Sequence, residues 1–131
     1  MSLAKHILVV DDEAVSRTMA SAFLLKGGYT VSAACSGTEA IEKARAESPD
    51  LIVLDLMMPE LDGNAVCRQL QSGPETAGIP VIMLTGRAER ETVLQAAEAG
   101  VADYLCKPIN GPELLTRVER LLRKEAGQVT G

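Results

Sequence analysis

Five short apolar runs, His6 to Val10, Thr30 to Ala34, Leu51 to Leu54, Val81 to Leu84 and Ala102 to Cys106, are each followed by a longer stretch of helical character. This alternation leaves few folds open. Runs of four or five apolar residues suit strands, whereas apolar residues recurring three and four apart suit amphipathic helices. Strand then helix, five times over, requires right-handed crossovers and therefore a parallel sheet covered by helices on both faces. The third run is apolar throughout, as expected of a strand buried on both sides. The pattern predicts an α/β fold with a five-stranded parallel sheet in (βα)5 order.

Local punctuation sets the boundaries. The last helix is the clearest: Leu114, Leu115, Val118, Leu121 and Leu122 form one apolar stripe, and Glu113 with Arg117 and Glu119 with Arg123 stand in the favourable i, i+4 order on its other side. Ser36-Gly37-Thr38-Glu39 has the spacing of a capping box, and Asn110-Gly111-Pro112-Glu113 puts a cap, an early proline and an acid at a helix start. Lys26-Gly27-Gly28, Ser48-Pro49-Asp50 and Ala99-Gly100 mark helix exits. Hydrophobic periodicity lapses near Lys124, so residues 5–124 are expected to form one domain and residues 125–131 a flexible tail or the start of a linker.

Composition narrows the function. With one Phe, two Tyr and no Trp, the core must be aliphatic. The formal charge of −5 disfavours direct nucleic-acid binding, which depends on attraction to phosphates. Apolar runs such as Ile7 to Val10 fall far short of the ~20 residues that span a bilayer, so no membrane insertion is expected. Cys35, Cys67 and Cys106 are an odd number without a CxxC, which fits a reducing, cytoplasmic setting; each is read as a small buried apolar side chain. His6 is the single histidine and is read as a strand-end residue, not a ligand.

In open parallel sheets, ligands gather at the carboxyl ends of the strands. Those ends carry Asp11 and Asp12 after the first strand, Asp55 after the third, Thr85 after the fourth and Lys107 after the fifth. Taken singly, each has an ordinary explanation as a helix cap, a turn residue or a solvated lysine. Together they form an anionic cluster, and like charges ~4 Å apart cost about 4 kcal/mol per pair at an effective dielectric of ~20. A few such pairs rival the ~5 to 15 kcal/mol net stability of a whole domain. The site must take up protons, hold a cation or open. Oxygen ligands without His or thiolate suit Mg²⁺.

These residues resemble the receiver domains of response regulators across residues 5–124. The resemblance rests on the acidic pair Asp11-Asp12, the segment Leu54-Asp55-Leu56-Met57-Met58-Pro59 followed by Asp62-Gly63, the pair Thr85-Gly86, and Tyr104 ahead of Lys107-Pro108. Thr85, Tyr104 and Lys107 lie 30, 49 and 52 positions after Asp55, as in chemotaxis-type receivers. The resemblance implies the flavodoxin-like strand order 2-1-3-4-5 and a cis Lys107-Pro108 bond. It implies that Asp55 accepts a phosphoryl group from a phosphohistidine on a sensor histidine kinase or histidine phosphotransfer protein. Mg²⁺ would be held by the carboxylates of Asp12 and Asp55 and the carbonyl of Met57, with Asp11 acting through water. Lys107 would meet the phosphoryl oxygens. Thr85 and Tyr104 would act as switch residues that reshape the face of the fourth helix, fifth strand and fifth helix for a downstream protein. Met57 and Arg87, two residues beyond Asp55 and Thr85, would flank the path of an attacking water and tune the acyl phosphate lifetime.

Two rivals remain at this point. A Mg²⁺-dependent phosphatase of the haloacid-dehalogenase type would also use an aspartyl phosphate, but it needs a second Asp where this chain has Met57, and a cap insertion. A docking module that is never phosphorylated would not require the acidic pair, Asp55, Thr85 and Lys107 together. A flavin carrier is disfavoured because the first strand runs into acids and not a glycine- or hydroxyl-rich phosphate loop. The expected molecule is a phosphoacceptor that promotes its own modification and slow hydrolysis, not a turnover enzyme.

Overall fold

The computed structural model describes the backbone of residues 4–86 and 90–130, with side chains for residues 4–86 and 93–123. Its elements alternate as read from the sequence: β1 (His6–Val10), α1 (Ala14–Lys26), β2 (Thr30–Ala34), α2 (Gly37–Glu47), β3 (Leu51–Asp55), α3 (Gly63–Ser72), β4 (Val81–Thr85), α4 (Arg90–Ala99), β5 (Asp103–Cys106) and α5 (Gly111–Thr130). All neighbouring strands pair in parallel, in the order β2-β1-β3-β4-β5. No helix among the described residues is long and apolar enough to cross a membrane.

Strand alternation splits the core into two layers. Ile7, Val9, Leu51, Val53, Ile82, Leu84 and Leu105 face α1 and α5, where they meet Ala20, Leu24, Leu114, Val118 and Leu122. Leu8, Val10, Ile52, Leu54, Val81 and Met83 leave the other face toward α2, α3 and Ala99 of α4. Both β3 and β4 are buried along their whole length, which accounts for their uninterrupted apolar sequence.

The caps follow the sequence signals. Ser36 accepts the Glu39 N–H at 3.1 Å and Asn110 accepts that of Glu113 at 2.9 Å. Gly28 and Gly100, just past α1 and α4, both adopt φ of +95°, a conformation that favours glycine.

Three local expectations are corrected. Arg117 is drawn to Glu113 only at longer range; its guanidinium donates to both oxygens of Asp103 on β5, at 2.7 and 2.8 Å, because α5 packs over that strand. Glu119 does pair with Arg123. Cys67 is buried, and burial pushes its thiol up to about 11. Cys35 and Cys106 are exposed, because both lie at the ends of the two outermost strands, where the sheet has no further neighbour. His6 opens β1 at the amino-terminal edge, with Nδ1 2.8 Å from Thr30 Oγ1 and Nε2 3.1 Å from Glu47 Oε1. It is a strand-end residue remote from the carboxyl edge.

Gly63 shows how tightly α3 is seated. A Cβ there would lie 2.6 Å from the Asp55 carbonyl oxygen and 2.8 Å from both Leu56 Cα and Met83 Sδ, whereas one on Gly78 would meet nothing within 4 Å. Gly63→Ala is therefore expected to lose roughly 1 to 3 kcal/mol of stability by overpacking. Gly78→Ala should stay within about 0.5 kcal/mol of the parent. Urea unfolding of the two variants checks this; equal midpoints would show that the backbone yields without cost.

Candidate functional site

The register brings the strand ends to one edge. Val10 pairs with Leu54, Asp55 with Leu84, and Thr85 with Cys106, so Asp11, Asp55, Thr85 and Lys107 follow one another across β1, β3, β4 and β5. The chain order reverses between β1 and β3, which is where an open parallel sheet forms its crevice.

Carboxylate oxygens of Asp11, Asp12 and Asp55 all lie within 4.8 Å of one another. Asp11 and Asp55 are buried, at 1% and 3% exposure, while Asp12 is open to solvent. Lys107 Nζ sits between the two buried acids, 3.1 Å from Asp11 Oδ2 and 3.3 Å from Asp55 Oδ1. A cleft of about 420 Å³ opens above them, lined by Asp12, Glu13, Asp55, Met57, Gly86 and Lys107. The Met57 side chain stands at its rim, 72% exposed.

One ammonium does not neutralise this cluster. Burial, reinforced by the nearby Asp11 charge, pushes the Asp55 carboxyl from its ordinary 3.8 up to about 6, against the opposing pull of Lys107 and the Met57 N–H. Burial works against the charged form of Lys107, but its hydrogen bond to Asp11 and the charges of Asp55 and Asp11 outweigh that and raise its pKa. The lysine stays charged while Asp55 remains short of positive partners. Hard oxygen donors, a deficit of positive charge and an open cleft fit a small dication.

Local structure supports each side chain. Asp11 donates its N–H to the Ala34 carbonyl of β2 at 3.1 Å, and its Oδ1 accepts the Glu13 N–H at 2.9 Å. Arg17, in the first turn of α1, donates from Nη1 to the Asp11 carbonyl at 2.8 Å. Asp55 closes β3, and the following loop returns through Gly63, whose N–H bonds the Leu56 carbonyl at 2.9 Å. Asp62 caps α3 by accepting the Ala65 N–H at 2.9 Å. Lys107 precedes a cis bond to Pro108, and its N–H reaches the Thr85 carbonyl at 2.7 Å.

Thr85 ends β4 at the same carboxyl edge as Asp55, and strand alternation turns it and Tyr104 toward one core layer. Tyr104 pairs with Met83, two residues before Thr85, so both side chains leave the sheet on the face that carries Met83. Thr85 is buried; Tyr104 is half-buried against that core layer and borders a groove of about 190 Å³ beside α4. Arg87 lies outside the described residues. Sequence reading singled out neither Arg17 nor the steric role of Gly63; an arginine six positions beyond an acid has no periodic signature.

The family model for the response regulator receiver domain matches residues 7–119. Among curated proteins, the chain is 43% identical over 120 residues to the alkaline phosphatase synthesis transcriptional regulatory protein PhoP of Bacillus subtilis, covering 92% of this chain and 49% of that one. It is 45% identical over 118 residues to the transcriptional regulatory protein ResD of the same organism, covering 90% of this chain and 48% of the relative. The chain thus spans about half the length of these relatives. Among solved structures, chemotaxis protein CheY4 of Vibrio cholerae superposes with a TM-score of 0.86 at 30% identity, covering 90% of this chain and 98% of that one. The receiver domain of sensor histidine kinase PA1611 from Pseudomonas aeruginosa, solved with a magnesium ion coordinated in its active site cleft, superposes with a TM-score of 0.81 at 31% identity, covering 93% and 97%.

Proposed function

Because the chain belongs to the response regulator receiver domain family, we propose that Asp55 is its phosphoryl acceptor and that the acidic edge of the sheet is built for Mg²⁺-dependent transfer from a phosphohistidine. The chain is a receiver domain of two-component signalling. One observation carries it: a single lysine bridges two buried carboxylates within a three-acid cluster that faces an open cleft.

In this reading an ionised Asp55 Oδ attacks phosphorus, the P–N bond breaks, and its electron pair stays on the imidazole of the donor. No separate base is needed, since a carboxylate is already nucleophilic. Lys107, freed from one of its acids, would meet the phosphoryl oxygens. Asp12, Asp55 and the Met57 carbonyl would hold Mg²⁺, with Asp11 acting through water, and the ion would supply charge neutralisation on the transferring group. Asp11 itself, held by Ala34 and Glu13, stays fixed as Lys107's second anchor.

The shared face of Thr85 and Tyr104 supports reading them as switch residues. Thr85 would engage the phosphoryl oxygens and Tyr104 would turn into the space beside it, biasing the α4, β5 and α5 face between two states toward an undetermined protein partner. Residues 5–124 are proposed as the functional unit and residues 125–131, of which 125–130 continue α5, as a tail or the start of a linker. The donor is proposed to be a sensor histidine kinase or histidine phosphotransfer protein, met in the cytoplasm. The domain is proposed to hydrolyse its acyl phosphate slowly and not to turn over generic phosphomonoesters, consistent with Met57 standing where a phosphatase would need an acid.

Acetyl phosphate and Mg²⁺, followed by intact-mass measurement, test the reading. The expected product is one phosphoryl adduct per chain, absent when EDTA is present from the start. No adduct under saturating donor and metal, or rapid multiple-turnover hydrolysis of a phosphomonoester, would overturn it. Once the adduct is in hand, exchanging Met57 and Arg87 together is expected to change its decay rate about tenfold, because both side chains would flank the approach of water. Identical decay curves would remove that role.

A further inference from the structure

The exposed member of the acidic cluster, Asp12, lies between two peptide planes, and each is held from a different direction. A peptide group is planar, so fixing its carbonyl or its N–H fixes the orientation of the whole unit. The plane joining residues 11 and 12 is held by its carbonyl, which takes the Arg17 Nη1 hydrogen bond at 2.8 Å. The plane joining residues 12 and 13 is held by its N–H, which the Asp11 carboxylate accepts at 2.9 Å. Glu13, the residue preceding α1, accepts the Ser16 hydroxyl at 2.7 Å but makes no side-chain capping bond, so the two peptide planes themselves are held by this pair of contacts.

Arg17 is well placed for that role. Its own N–H bonds the Glu13 carbonyl at 3.0 Å, which ties it into the first turn of α1, and helical side chains lean toward the amino terminus, back over the turn. The guanidinium is half-buried and donates to a carbonyl, not to a carboxylate. It therefore orients the turn without competing for the oxygens that face the cleft.

We propose that Arg17 is a positioning residue for the metal site: by clamping the peptide plane between Asp11 and Asp12, it presets the Asp12 carboxylate toward Asp11 and Asp55. This rests on the Mg²⁺-dependent reading above. Loss of the clamp lets the Asp12 carboxylate wander, so the dication must order it on binding, and affinity falls while the capacity to react once loaded is kept.

Isothermal titration of the metal-free chain with MgCl₂ at neutral pH, on the parent, Arg17→Met and Arg17→Lys, tests this. Loss of an outer partner of a metal site weakens affinity about tenfold at the low end, and that is the shift expected for Arg17→Met. Arg17→Lys, which keeps one donor, should recover part of it. The rate of phosphoryl uptake from acetyl phosphate should return to the parental value when Mg²⁺ is raised to saturate Arg17→Met. Equal Mg²⁺ affinity in parent and Arg17→Met would overturn the proposal. So would a loss of uptake that saturating Mg²⁺ fails to restore, accompanied by a lowered melting temperature, since that pattern belongs to a structural contact. If the parent itself bound no Mg²⁺, the metal-dependent reading would fail first and this inference with it.

Discussion

Asp55→Asn is expected to take up no phosphoryl group from acetyl phosphate and Mg²⁺, and at neutral pH without metal it should be more stable than the parent. The first half follows from removing the nucleophilic oxygen. The second follows from the electrostatics of the cluster. The folded chain lifts the Asp55 carboxyl from 3.8 to about 6, so between those values the native state binds more protons than the unfolded state. Stability then falls as pH rises through that window, and the full penalty is present above it. At 1.36 kcal/mol per pKa unit, the ionised carboxylate costs on the order of 2 to 3 kcal/mol, which the neutral amide avoids. Melting curves at pH 4 and pH 7 should show the variant gaining on the parent with rising pH, and Mg²⁺ should close the gap by stabilising the parent alone. A variant that still gains a phosphoryl adduct would remove Asp55 from its role; a gap independent of pH would refute the charge deficit.

Lys107→Met is the second large effect, and it runs the other way. The lysine is the cation the structure places against both Asp11 and Asp55, whose side chains are only 1% and 5% exposed. Removing one partner of a buried ion pair leaves an uncompensated charge and typically costs about 3 to 5 kcal/mol. Here the cost should be largest at neutral pH without metal and shrink toward pH 4, where Asp55 takes up a proton instead. Because the folded environment raises the lysine's own pKa, its contribution persists across neutral pH and is lost only in strong alkali. Phosphoryl uptake at saturating Mg²⁺ should slow by about a hundredfold, the usual penalty for losing one group that stabilises charge on a transferring centre. Parental kinetics in a folded Lys107→Met would mean that the ammonium is a structural counterion only.

The two variants separate the roles of the paired groups. Asp55 holds a charge that the fold tolerates poorly and chemistry can use. Lys107 makes that charge tolerable in the resting state and, in the proposed reading, would leave one of its two acids for the phosphoryl oxygens while Asp11 anchors it. Asp11 is held by three neighbours, so in that reading the lysine would shift without dragging the turn with it.

Much of this was legible along the chain. The order of strands and helices follows from periodicity, and periodicity is a property of residues two to four apart. Cap residues such as Ser36 and Asn110 act within one turn, so they too are visible locally. The gathering of Asp11, Asp55, Thr85 and Lys107 at one edge needs only the inference of a parallel sheet, since every strand then ends on the same side. Contacts that depend on register and side-chain direction were settled by tertiary packing alone. Lys107 meets Asp11 across 96 positions of chain. Arg117 chooses Asp103 over its helical neighbour Glu113, because the strand beneath α5 offers a half-buried carboxylate with both oxygens in reach. Cys35 and Cys106 look apolar on paper and are exposed, since only the strand order says which strands are outermost. Arg17 and Gly63 belong to the same class: their meaning lies in one carbonyl oxygen and one absent Cβ. Short-range periodicity determines which elements form, whereas three-dimensional juxtaposition determines which partner each charge and each close contact finds.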